Sequence, residues 1–178
     1  MSHRTSLPAT LPRGMTLIEI LVVMVIIAIM AAAITVSIGA LGGDSEIDDE
    51  ARRLTDVIAL ALEQAELEGR DYGLRLEPES YEVLGFDGRR GWIPVTDDTW
   101  FRRHALPPGL AFALETEGRR VLLRKPDRPE TRLPQVVTYG SGEVTPYQIT
   151  LSRSASGATA TLTGAVDGTI KLSRDDEH

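Results

Sequence analysis

No cysteine occurs in the 178 residues. That excludes a disulfide framework, a Cys-ligated zinc site and thiol catalysis. Histidine is scarce too: His3, His104 and His178 are the full set. A Ser-His-Asp arrangement could run only through His104, and no serine here sits in anything like a nucleophile elbow. Basic charge is also in short supply. The net charge is −7, and beyond Met15, once Arg4 and Arg13 are set aside, 17 basic residues face 26 acidic ones. Nucleic-acid affinity rests on Lys and Arg, so such a body disfavours phosphate backbones. Internal repeats and long low-complexity runs are lacking as well.

What the sequence does have is a long apolar run. Between Arg13 and Asp44 the only charged side chain is Glu19. A membrane span needs about 20 residues to cross about 30 Å of hydrocarbon. Met15 to Leu41 meets that length. His3, Arg4 and Arg13 precede it and Asp44-Ser45-Glu46 follows it. The positive-inside bias then puts the amino terminus in the cytoplasm and the body across the membrane. A secretory signal peptide is the alternative, with Met1 to Arg13 as its n-region and Ala31-Ala32-Ala33 as its cleavage site. Against it, the apolar run continues past the alanines, and Glu19 interrupts what should be a charge-free segment. An intramembrane carboxylate is costly and asks for a partner.

Residues Gly14-Met15-Thr16-Leu17-Ile18-Glu19 resemble the class III signal of type IV pilins and type II secretion pseudopilins. The resemblance implies that a prepilin peptidase cuts between Gly14 and Met15 and methylates the new amino terminus at Met15. It implies that Glu19 serves subunit assembly by pairing with the terminal amine of a neighbouring subunit. The family usually has Phe where this chain has Met15, another large apolar residue. The physical reading agrees. A buried amine and a buried carboxylate are each costly alone, and pairing offsets much of that cost. Residues 1–14 are then a leader, 15–41 a transmembrane helix, 42–69 an amphipathic helix continuing from it, and 70–178 a periplasmic β-rich domain.

The body supports this division. Ile47, Ala51, Leu54, Ile58, Ala61, Leu62 and Ala65 recur with helical spacing, and Asp48, Asp49, Glu50, Arg52, Arg53 and Asp56 lie mostly on the other side. The apolar face is expected to pack on a sheet. Ser45 followed by Asp48 resembles a cap, the acids Asp44 to Glu50 suit a helix start, and Gly69 suits a stop. Pilin-like proteins commonly have one long helix, so a nearly continuous helix with a soft point at Gly39 to Gly43 is expected. From Tyr72 onward the pattern changes to short strands. The candidates are Tyr72 to Leu76, Tyr81 to Phe86, Gly91 to Val95, Leu110 to Leu114, Arg120 to Leu123, Val136 to Tyr139, Gln148 to Leu151, Thr159 to Leu162 and Thr169 to Leu172. Hairpin turns are expected at Glu77-Pro78-Glu79-Ser80 and Asp167-Gly168. The expected class is α+β, a pilin-like long amino-terminal helix packed on an antiparallel β-sheet body.

Further runs resemble the protein H group of the type II secretion pseudopilins. They are Ala59 to Arg70 with Tyr72-Gly73-Leu74-Arg75, Leu106 to Leu110, and Tyr139 to Tyr147, which follows an S/G-G-E-x-T-P-aromatic pattern. In the last run Gly140 and Gly142 permit a tight turn and Pro146 removes one donor; a structural turn without a contact role is the simpler reading.

The resulting expectation is a minor pseudopilin, a structural subunit of the periplasmic pseudopilus that helps export folded proteins across the outer membrane. Its partners would be other pseudopilins, the prepilin peptidase, the inner-membrane assembly platform and membrane lipid, with no nucleic acid, cofactor or metal. A minor type IV pilin for pilus biogenesis or DNA uptake is the second reading; the acidic body and the tail Asp175-Asp176-Glu177 argue against DNA. A membrane-anchored periplasmic enzyme is the third, weakened by the lack of a catalytic cluster. His104 is expected on an exposed strand or loop. Asp97-Asp98 falls short of a calcium ligand set, and residues 127–132 read as a solvated loop. Trp92 and Trp100 belong either to the core or to a subunit contact.

Overall fold

The computed structural model describes residues 17–125 and 133–175, without the side chains of 31–44 and 175. The chain divides into two compact units between Gly39 and Ala40. One helix, α1 (Leu17–Glu68), runs for 52 residues. Asp44 to Asp48 therefore lie inside it, and the cap suggested by Ser45 and Asp48 does not form. Gly42 and Gly43 are helical; a helical glycine costs only about 1 kcal/mol relative to alanine, which neighbouring turns readily offset. The helix ends as the sequence predicts. Gly69 adopts φ 59°, and the Arg70 N–H donates to Ala65 O at 3.2 Å. This is a Schellman-type closure, which a side chain with a Cβ adopts reluctantly.

Among the described residues ten strands follow, and they form two sheets rather than one. The first contains β1 (Tyr72–Glu77), β2 (Ser80–Asp87), β3 (Gly91–Pro94), β4 (His104–Ala105) and β7 (Val136–Thr138), in the order β3-β2-β1-β7 with β4 also on β2. The second contains β5 (Leu110–Thr116), β6 (Arg119–Val121), β8 (Tyr147–Arg153), β9 (Thr159–Gly164) and β10 (Ile170–Asp175), in the order β10-β9-β8-β5-β6. All pairings are antiparallel. Glu77 pairs with Ser80 across Pro78-Glu79, and Gly168 N–H donates to Ala165 O at 3.1 Å in the β9–β10 turn. Both expected hairpins are present. Strand β4 carries no strand pattern in the sequence; two residues are too short to show a period of two.

Alternation along the strands builds one core. Leu110, Phe112 and Leu114 of β5 and Tyr147, Ile149 and Leu151 of β8 turn inward with Leu74 and Leu76 of β1. The α1 stripe Ile47, Ala51, Leu54, Ile58, Ala61 and Ala65 joins the same cluster, together with Val57, which the sequence pattern missed. Leu62 is partly buried against it. A fully buried Leu or Ile contributes roughly 1.5–3 kcal/mol, so this stripe holds the carboxyl-terminal part of α1 to the β-body. Backbone bonds tie the sheets together: Phe112 N–H donates to Pro78 O at 2.8 Å, and Val144 N–H to Val166 O at 2.9 Å.

Candidate functional site

Gly14 and Met15 lie outside the described residues. Glu19 lies on α1 and is exposed, as is every residue from Leu17 to Met30. Leu17 is 83 % exposed and Ile29 64 %. A helix apolar on every side must cover its surface with lipid or with other helices. Glu19 is the one ionisable group on that surface. Among the described residues no helical stretch is long and apolar enough to cross a membrane; the expected span 15–41 extends beyond the side chains described here.

Within the second unit, the polar face of α1 is fastened to the sheets by charge. His104 Nε2 donates to Glu50 Oε2 at 2.8 Å. Arg174 Nη1 donates to Asp48 Oδ2 at 2.7 Å, Arg53 Nε to Tyr81 Oη at 3.2 Å, and Arg153 pairs with Glu46. Of the acids that read as a helix start, Glu46, Asp48 and Glu50 are cross-links instead. His104 is half-buried rather than exposed, and its ring centroid lies 5.3 Å from that of Tyr81.

The Tyr139 to Tyr147 run locks the end of the helix, so it has a contact role within the chain. Tyr139 N–H donates to Glu143 O at 2.8 Å and Gly142 N–H to Tyr139 O at 2.9 Å. A Cβ on Gly140 would stand 2.8 Å from the Gly69 carbonyl carbon, and one on Gly164 2.1 Å from the Tyr147 ring. Only glycine allows these approaches.

Arg75, Glu77 and Glu82 form a buried charged network that the exposed Arg103 closes, and no sequence pattern announces it. Arg75 Nη1 donates to Glu82 Oε1 at 3.2 Å, and its Nη2 lies 3.3 Å from Glu77 Oε1. Arg103 clamps Glu77 with two contacts of 3.2 and 2.5 Å, and Ser80 Oγ donates to Glu77 Oε2 at 3.1 Å. Burial pushes the Glu77 carboxyl upward, but the bonds from Arg103 and Ser80 and the charges of Arg103 and Arg75 outweigh it and hold it below the usual range. The network is charge-balanced and its members are mutually satisfied, which suits a scaffold. Among the described residues no three His, Cys, Asp or Glu side chains converge on a point that could hold a metal. Asp98 Oδ1 accepts the Trp100 N–H at 2.7 Å, a turn contact. Trp100 is 47 % exposed, with the Arg53 guanidinium 5.3 Å from its ring. Trp92 is half-buried and packs edge-on against Phe86.

Comparison with known proteins agrees with this arrangement. Residues 12–35 match the prokaryotic N-terminal methylation motif. The chain is 36 % identical over 146 residues to type II secretion system protein H of Pseudomonas aeruginosa, covering 79 % of this chain and 83 % of that protein. It is 30 % identical to the protein H of Aeromonas hydrophila, covering 93 % and 95 %. The fold is shared with the minor pseudopilin EpsH from the type II secretion system of Vibrio cholerae, with a TM-score of 0.64 at 24 % identity over 76 % of this chain and 98 % of that one. By signal, by extent of similarity and by fold, the chain belongs to the type II secretion system protein H family.

Proposed function

We infer that the protein is a minor pseudopilin, a structural subunit of the periplasmic pseudopilus, and that its work is assembly rather than bond chemistry. The observation that carries the reading is the exposed apolar surface of Leu17 to Met30 with Glu19 as its one charge. Such a surface is unstable in water and suits lipid first and neighbouring helices afterwards. Prepilin peptidase removes residues 1–14, and Met15 becomes the methylated amino terminus. The protein then sits in the inner membrane as a single span, amino terminus cytoplasmic and β-body periplasmic. The assembly platform passes it into the filament among other pseudopilins. There the amine of one chain and a Glu19 carboxylate meet in a low-dielectric setting, where pairing is favoured over two lone charges. The apolar surface gives affinity, and the single charge sets the register.

Co-expression with a prepilin peptidase tests this. The recovered chain should begin at Met15 by amino-terminal sequencing. A chain that still began at Met1, or that had been cut after Ala33, would overturn the reading.

A further inference from the structure

The β2–β3 hairpin borders an open depression of about 760 Å³, lined by Arg70, Phe86, Asp87, Gly88, Arg89 and Arg90. Three guanidinium-bearing residues meet one acid there, on a chain whose net charge is −7. Asp87 is already occupied. Its Oδ1 accepts the N–H groups of Arg89 at 2.9 Å and Arg90 at 3.0 Å, and its Oδ2 lies 3.5 Å from Arg90 Nη2.

Arg70 is held in place by the fold. A Cβ at position 85 would come 2.0 Å from its Nη2, so the glycine in β2 makes the room this side chain uses. Its guanidinium carbon stands 4.9 Å from the Tyr72 ring centroid, a cation–π contact. Its Nε is buried and has no hydrogen-bond partner among the described residues. Its Nη1 lies a long 3.9 Å from Glu68 Oε2. Beside these charges Phe86 is 39 % exposed, backed edge-on by Trp92 at 5.3 Å between centroids.

We propose that this depression docks a short acidic segment of another protein, with carboxylates on Arg70, Arg89 and Arg90 and an apolar side chain against Phe86. Guanidinium groups bind carboxylates through paired, charge-assisted hydrogen bonds. The chain carries a net charge of −7, so a long polyanion such as nucleic acid, or an anionic bilayer, meets net repulsion beyond these few arginines. A segment with a few carboxylates avoids that cost. The inference goes beyond the assembly role of Glu19 and does not depend on it.

The test uses the full-length protein in neutral detergent micelles at low ionic strength. The probe is a fluorescently labelled pentapeptide with four glutamates around one phenylalanine, followed by anisotropy. Saturable binding is expected, weakened at least tenfold by Arg89→Glu with Arg90→Glu. Arg119→Glu with Arg120→Glu, which alters an equally exposed basic pair on the β5–β6 hairpin, should leave it unchanged. Lack of saturable binding, or equal weakening by both pairs of changes, would overturn the proposal. So would an oligonucleotide of the same charge that bound more tightly through Arg89 and Arg90.

Discussion

His104 Nε2 lies 2.8 Å from Glu50 Oε2, joining β4 to α1 across the edge of the first sheet. The histidine that alone could have served a catalytic triad spends its ring on a structural contact. His104→Ala removes a hydrogen bond to a carboxylate and the contact with the Tyr81 ring. It should destabilise the β-body by about 1.5–3 kcal/mol, the usual range for a hydrogen bond to a charged group. Urea unfolding measures this, and prepilin processing of the variant should stay normal.

On the proposed assembly role, in which the carboxylate acts between subunits and not at the cut, Glu19→Leu should leave cleavage after Gly14 intact. Incorporation into filaments should fall, because the pairing that sets the register is gone. Cross-linking of assembled subunits reads the second effect and the mass of the mature chain reads the first. Undiminished incorporation would remove the pairing role.

Gly140→Ala places a methyl group 2.8 Å from the Gly69 carbonyl carbon, against backbone rather than a yielding side chain. Forced repacking of this kind costs about 1–3 kcal/mol. Thermal unfolding of the variant should show the loss. Gly88→Ala, where a Cβ meets nothing within 4 Å, should show little.

Glu77 gives the stability a pH dependence. Its carboxyl is held below the ordinary 4.5 in the folded state, burial being outweighed by Arg103, Ser80 and Arg75. The folded state therefore binds its proton less readily than the unfolded chain. The stabilisation is fully present above pH 4.5 and is lost as pH falls through the depressed folded value. In Glu77→Gln the drop in unfolding free energy below pH 4.5 should be shallower than in the parent protein. An identical acid profile in the two proteins would contradict the assignment.

The division between what the sequence determined and what folding decided follows the range of the interactions. Periodicity is local. The spacing of Ile47 to Ala65 alone specifies a buried helical face, and Gly69 alone specifies where α1 stops. Pro78-Glu79 and Asp167-Gly168 mark hairpins because a turn depends on a few adjacent residues. The Glu19 signal is legible for the same reason: a lone carboxylate in an apolar run stands out without any partner in view.

Pairing between distant residues is not written that way. Alternation in β5 and β8 marks an inward face but does not say that they join each other while β7 joins β1; the division into two sheets came from tertiary packing. Glu46, Asp48 and Glu50 read as helix-start acids because their partners, Arg153, Arg174 and His104, lie far along the chain. Arg75 and Glu77 read as ordinary strand charges, yet they are buried with Glu82 because both faces of β1 are covered, and the exposed Arg103 reaches in to close the network. Whether a charge faces water or a counter-ion depends on which elements fold over it, and only the assembled body decides that.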